Sequence, residues 1–355
     1  ALNAIKGEAI TSANLRGYDS VLQRTLIDSR MSQKTLDVLI STMKKALPMF
    51  ERYFQLKAQA LGYTDGLPWY ELYAPIVESD MSYPFEKGSQ FVVEQFYTFS
   101  KHLGDYAKKA IENQWIDVYP RTGKVGGAFC HNLHCIQESR FLLNFGHGFH
   151  GECLNTQTAL NADYPMPIAE TASTFCETII KKAALKSADA KDKLFILENE
   201  LCDCAQVIVD IYSRYLFESR LIEKRQEGPL SVEEIKDLML EAQKEAYGHG
   251  LDHRYLHPYM WTWKPHYYEA DYAFYNFPYA FGLLLAKGLY GLYQKQGATF
   301  ADTYEHFLSL TGKMSLEDVG KSVGIDLQDP AFWQNSIDMI KDDIDLFEQL
   351  LKQLV

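Results

Sequence analysis

Two histidines one helical turn apart, His147 and His150, are followed after a loop by two glutamates seven residues apart, Glu170 and Glu177. Seven residues make nearly two helical turns, so the carboxylates share one helix face. An imidazole and a carboxylate from neighbouring helices, with a second carboxylate behind, suit zinc. Each pair alone has a plainer reading. Two histidines on a helix commonly serve packing, and two spaced acids commonly form a solvated face. Their combination in one stretch, Arg140 to Glu177, points to a metal.

Two other clusters could carry chemistry. Cys130-His131 and His134-Cys135 gather soft ligands. Four ligands inside six residues cannot easily reach one tetrahedral ion without straining the backbone, so this cluster is set aside. His266 stands in Trp263-Lys-Pro-His-Tyr-Tyr and is followed by Phe274-Tyr-Asn-Phe-Pro-Tyr-Ala-Phe-Gly. By itself this reads as an aromatic core element. A histidine and phenols could also donate hydrogen bonds to a developing oxyanion.

The elements that must position these groups are mostly helices. Ser32 caps a long helix running towards Gly62, with Leu36, Leu39, Ile40, Met43, Leu47 and Phe50 as its apolar stripe. Another helix is expected from Tyr83-Pro84 to about Trp115. Residues 116–146 change character. Asp117 to Phe129 reads as turn and strand, and Arg140 to Phe145 as a short strand. A small sheet beside the metal-ligand region follows. Helices are then expected from His147, from Glu170 to about Leu185, and from Ala188 to Arg225. Ser231 with Glu234 forms a capping box. Phe274 to Gln294 reads as a buried helix, Ser315 caps a short one, and Asp329-Pro330 opens the last. The fold class is mainly α, a single region over residues 1–355 with a small sheet.

The 355 residues suffice for a sizeable core. A formal charge of −12 argues against nucleic acid or an anionic membrane as partner. The 23 tyrosines and 20 phenylalanines read first as core and second as binding surface. The six cysteines form no paired array and read as reduced thiols of a cytoplasmic protein. No apolar run reaches membrane-spanning length, and the start shows no signal-peptide pattern. A di-iron bundle would need two Glu-x-x-His motifs, and the sequence has none.

With these residues in view, the sequence resembles oligoendopeptidase F, among the thimet-oligopeptidase-like zinc peptidases. The resemblance covers nearly the whole chain. It rests on Gly66-Leu-Pro-Trp-Tyr-Glu-Leu-Tyr-Ala-Pro, Gly126-Gly-Ala-Phe-Cys, Glu138-Ser-Arg and Gly146-His-Gly-Phe-His. It rests also on Asp163-Tyr-Pro-Met-Pro-Ile-Ala-Glu-Thr-Ala-Ser, and on Pro265-His-Tyr-Tyr with the Phe274 segment. The resemblance implies a helical metallopeptidase domain with its small sheet beside an active-site cleft, following an N-terminal helical domain that lies outside this chain. It implies His147 and Glu170 as zinc ligands, with Glu177 and His150 supporting them. It implies His266 with Tyr275 or Tyr279 as donors to the tetrahedral intermediate. Arg140, Phe141 and Asn144 would line the path of a short, unstructured peptide added along their strand.

One departure stands out. The family's metal motif is H-E-x-x-H, and the first His and the Glu should stand four and three residues before His147. Those positions hold Leu143 and Asn144. Both flanks match the family, so the expected explanation is a segment omitted between about Asn144 and His147, carrying the H-E half. The alternative is an inactive, peptide-binding homologue. In the intact family pattern the zinc polarises a water and the scissile carbonyl, and the motif Glu moves the proton. This chain lacks that Glu and one ligand.

Overall fold

The computed structural model describes residues 1–124, 129–142 and 144–354. Val125–Ala128, which include the Gly126-Gly-Ala part of the Gly126-Gly-Ala-Phe-Cys match, Leu143, at the first-ligand position, and Val355 lie outside them.

The first three helices are α1 (Leu2–Leu15), α2 (Val21–Asp28) and α3 (Gln33–Ala60). Ser32 caps α3 by accepting from the Thr35 N–H, which satisfies one of the donors a helix start leaves open. The stretch read as one helix up to Trp115 is two, α4 (Phe85–Phe99) and α5 (Lys101–Glu112). Ser100 takes an extended conformation between them, and its hydroxyl caps α5 through the Leu103 N–H while donating to Glu305. The strands are β1 (Cys130–Leu133) and β2 (Glu138–Phe141), paired antiparallel with Cys130 opposite Phe141. The strand expected over residues 140–145 therefore sits earlier, and Phe145 opens a helix instead.

That helix is α6 (Phe145–Leu154), followed by α7 (Met166–Ser187). Next come α8 (Ala190–Ala205) and α9 (Ile211–Arg225), joined by a π-helical turn over Gln206–Asp210. The chain continues through α10 (Val232–Tyr247), α11 (Phe277–Gln296), α12 (Phe300–Leu310), α13 (Leu316–Ser322) and α14 (Pro330–Leu354). The α10 start has the full capping box of Ser231 and Glu234, and Ser315 caps α13. The fold is mainly α with a two-stranded sheet, as expected.

The chain forms two compact units. One comprises Ala1–Glu78, Lys193–Ala280 and Gln328–Val355. Its core includes Phe217, Leu221, Leu238, Met239 and Tyr267, and α14 packs on α3 through Phe347 and Tyr53, rings 5.4 Å apart. The other comprises Ser79–Asp192 and Phe281–Leu327. There Phe99, Phe175 and Tyr304 form a buried aromatic cluster, with the Phe175 and Tyr304 rings stacked 4.2 Å apart.

Helix α6 lies inside this second unit, against both strands, α5, α7 and α12. Three glycines make that possible. A Cβ on Gly146 would fall 2.3 Å from the Ala172 carbonyl oxygen of α7. One on Gly148 would meet the Tyr106 hydroxyl of α5 at 2.2 Å, and one on Gly151 the Asn132 side chain of β1 at 2.3 Å. A glycine inside a helix costs about 1 kcal/mol relative to alanine. In α6 that loss is offset by close packing on three sides.

Candidate functional site

His147 lies in the first turn of α6. Asn144 caps that turn, its side-chain oxygen accepting from the His147 N–H at 3.2 Å. Glu170 lies in the second turn of α7, whose entry is set by Pro165 and Pro167. The contact at Gly146 draws the two helices together. It leaves His147 Nε2 and Glu170 Oε2 3.7 Å apart, both side chains largely buried. Ser173 donates to the same Glu170 oxygen at 3.2 Å. Burial lowers the His147 pKa, opposed by the Glu170 charge and a hydrogen bond to the Ala169 backbone, so the neutral, ligating form is favoured. Gly282 keeps space beside Glu170, because a Cβ there would lie 2.6 Å from the Glu170 Cβ.

A tetrahedral zinc with nitrogen and oxygen ligands holds them about 3.4 Å apart. The His147–Glu170 pair fits two corners of such a site. A complete site does not fit: among the described residues no group of three His, Cys, Asp or Glu side chains could hold a metal.

The supporting residues take other places. His150 is fully buried, its Nε2 2.7 Å from the Thr311 hydroxyl and its ring stacked on Tyr164 at 3.8 Å. Burial, with His147 nearby, pushes its pKa down to about 3. Glu177 follows Glu170 along α7 but is half-exposed and paired with Lys181 at 2.7 Å. On the sheet, Arg140 pairs with Glu138 at 2.7 Å and lies over the Trp115 ring. Phe141 is buried. Its N–H donates to the Trp115 carbonyl and its carbonyl accepts from the Asp117 N–H, so it has no main-chain group free for an added strand. Asn144 is the cap already described. The Cys130–Cys135 hairpin gathers no metal-binding group of three either.

The second set of residues lies in the first unit. His266 sits on a short 3-10 turn, Pro265–Tyr268. Its ring centroid is 4.8 Å from that of Tyr275 and 6.2 Å from that of Tyr279. The two tyrosine rings are 5.7 Å apart, edge to face. Phe274, just before them, has a positive φ of 58°, uncommon outside glycine. The strained turn is held by Asn276, which donates to Glu218 Oε2 at 2.9 Å and accepts from the Phe277 N–H. Glu218 is itself buried and paired with Lys6 at 2.7 Å. Burial, then the charges of Arg214 and Lys264, lower the His266 pKa.

Sequence reading missed Arg214, Glu218, Lys6 and Asn276. A signal for the first two existed. Asp210, Arg214 and Glu218 recur every four residues, three charges along one face of a segment that is otherwise largely apolar.

Comparison with known proteins matches the chain to a family model described as Peptidase family M3, over residues 2–144 and 137–339. The chain is similar to Oligopeptidase PepF of Bacillus subtilis (strain 168), 27% identical over 359 positions, covering 96% of this chain and 53% of that protein. It is similar also to an oligoendopeptidase F homologue of Lactococcus lactis subsp. lactis (strain IL1403), 28% identical, covering 96% of this chain and 58% of that one. The chain thus spans little more than half the length of these relatives. Among solved structures, oligoendopeptidase-F from Enterococcus faecium aligns with a TM-score of 0.72 at 20% identity, covering 98% of this chain and 58% of that one. At that identity the structural likeness speaks for the fold.

Proposed function

The chain belongs to peptidase family M3, and from that premise we propose that residues 1–355 form the catalytic region of a zinc-dependent endopeptidase for short, unstructured peptides, in which the H-E half of the metal motif is missing. His147 and Glu170 would hold the metal from two sides. His266 with Tyr275 or Tyr279 would donate hydrogen bonds to the oxyanion of the intermediate, each such donor contributing about two to three decades in rate. Glu177 and His150 would support the ligand helices, and Arg140 and Asn144 would flank the peptide path through their side chains, with buried Phe141 fixing the strand beneath them rather than pairing with the peptide. The setting is the cytoplasm; no helix among the described residues is long and apolar enough to cross a membrane.

The observation that carries this reading is the 3.7 Å approach of His147 and Glu170 on helices brought into contact at a glycine. The family match supports the missing half. It comes in two stretches that meet at residues 137–144, immediately before His147. The Bacillus alignment also runs over 359 positions while using 96% of a 355-residue chain, so the relative has residues where this chain has none.

With two donors and no general base, this polypeptide should hold zinc weakly and cleave little. The test is turnover of an internally quenched peptide with zinc present, for this chain and for a variant with a relative's H-E segment grafted between Asn144 and His147. The expected result is turnover at least about a hundredfold higher in the graft. Ordinary turnover by the ungrafted chain would overturn the reading. Peptide binding without turnover in both forms would favour the alternative, a non-catalytic peptide-binding homologue.

A further inference from the structure

Arg214 Nη2 lies 2.9 Å from His266 Nδ1. A guanidinium carries five N–H donors and no acceptor, and it keeps its charge. The hydrogen bond therefore runs one way: Arg214 donates and Nδ1 accepts. An imidazole nitrogen that accepts carries no proton, so the ring proton must sit on Nε2.

Arg214 is built into place. It is buried on α9, with Asp210 one turn before it and Glu218 one turn after. Its guanidinium carbon lies 5.7 Å from the centroid of the buried Tyr267 ring. Glu218 is committed to Lys6 and Asn276. Asp210 closes the π-helical turn, is buried, and leaves Oδ2 without a hydrogen-bond partner, with Lys264 Nζ at 3.9 Å. Buried π-turns often mark functional positions. The groups around His266 are thus the cations Arg214 and Lys264, the carboxylate Asp210 behind them, and the phenols of Tyr275 and Tyr279.

We infer that Arg214 is a positioning residue that fixes His266 in the Nε2–H tautomer, with buried Asp210 as its counter-charge. Free histidine exchanges between two neutral tautomers, and in one of them Nε2 is an acceptor that would repel an oxyanion. Arg214 removes that form and makes Nε2 a permanent donor. The catalytic value of this donor rests on the role proposed for His266. The tautomer itself is a property of the folded chain.

The test is long-range proton–nitrogen correlation NMR on the nitrogen-15-labelled chain, with the His266 signals assigned by their loss in H266Q. The expected wild-type pattern is a protonated Nε2 and an unprotonated, hydrogen-bonded Nδ1, unchanged from pH 7.5 to 6. Arg214→Met should give a mixture of tautomers and a ring that protonates in that range, and Arg214→Lys should restore the wild-type pattern. If Arg214→Met does not fold, Asp210→Asn/Arg214→Met removes the unpaired charge, and the wild-type spectrum stands as a test without any variant. A protonated Nδ1 or mixed tautomers in the wild type would overturn the assignment, as would a folded Arg214→Met protein with unchanged His266 signals. Failure of the peptidase reading would leave these spectra as expected, so the two failures are distinguishable.

Discussion

Glu170 meets His147 from the neighbouring helix, whereas His150, one turn further along α6, ends against Thr311 and Tyr164. The sequence offered both histidines at ligand spacing. Which one faces a carboxylate is decided by how α6 packs on α7 and α12, with Thr311 161 residues from His150, and spacing carries no record of that. The difference predicts opposite responses. On the proposed ligand role, Glu170→Ala should lower zinc affinity at least about tenfold by titration calorimetry. His150→Gln should leave zinc affinity unchanged while costing about 1–3 kcal/mol of stability in a denaturant melt, through its buried polar contact. The His102–Glu305 pair, 2.8 Å apart, gives a pH prediction. The hydrogen bond to Glu305 raises the His102 pKa, so its contribution is complete below the ordinary 6.5 and lost as pH rises through the raised value. Glu305 is held below its ordinary 4.5 by the His102 and Ser100 hydrogen bonds, against the opposing pull of burial. Its contribution is present above 4.5 and lost as pH falls further. The pair therefore stabilises most between those two values. Because His102 is half-exposed, the gain is at most about 1 kcal/mol. The Tm difference between wild type and Glu305→Gln should peak near pH 5.5 and shrink by pH 8.

At the scale of elements, local chemistry was legible and long-range choices were not. Ser32, Ser231 and Ser315 announced their helices because a cap needs only a side chain and the backbone three residues on. Ser100 carries the same local cap, through the Leu103 N–H, and went unread, while its second bond reaches Glu305, 205 residues away. Arg214 likewise meets His266 across 52 residues of sequence. The contact of α6 with α7 gives a sharp prediction. Gly146→Ala would place a methyl 2.3 Å from a backbone oxygen, where no flexible side chain can yield. It should destabilise by about 1–3 kcal/mol and part His147 from Glu170, read as a lower denaturation midpoint together with weaker zinc retention. Only three residues separate the end of β2 at Phe141 from the start of α6 at Phe145. Leu143→His/Asn144→Glu would spell the family motif without lengthening that link. The double variant should still fail to cleave peptide, because the substituted residues precede the helix that must aim them. Turnover approaching that of the grafted form would show that chain length there is immaterial.

At the scale of the molecule, each compact unit is assembled from separated stretches of chain, three in one and two in the other. Sequence reading gave one mostly helical region, because no linker composition marks where the chain passes from unit to unit. The last helix shows what this means for stability. Trp333, Ile337, Ile340, Ile344 and Phe347 of α14 are buried, and α14 packs on α3 some 300 residues earlier. Deleting residues 328–355 should expose the apolar face of α3 and unfold the first unit, seen as lost helical circular dichroism and gained binding of a hydrophobic dye. The short link between β2 and α6 has the opposite character. The strand is held by its partner strand and the segment at Trp115–Asp117, and the helix by its glycine contacts. If the proposed omission falls in this link, it leaves the anchors of both elements in place. Cellular quality control, which recognises unfolded chains, would have no purchase on such a product. On the proposed reading it would persist at the abundance of any well-folded protein, because the omitted half of the motif would leave no trace in its stability.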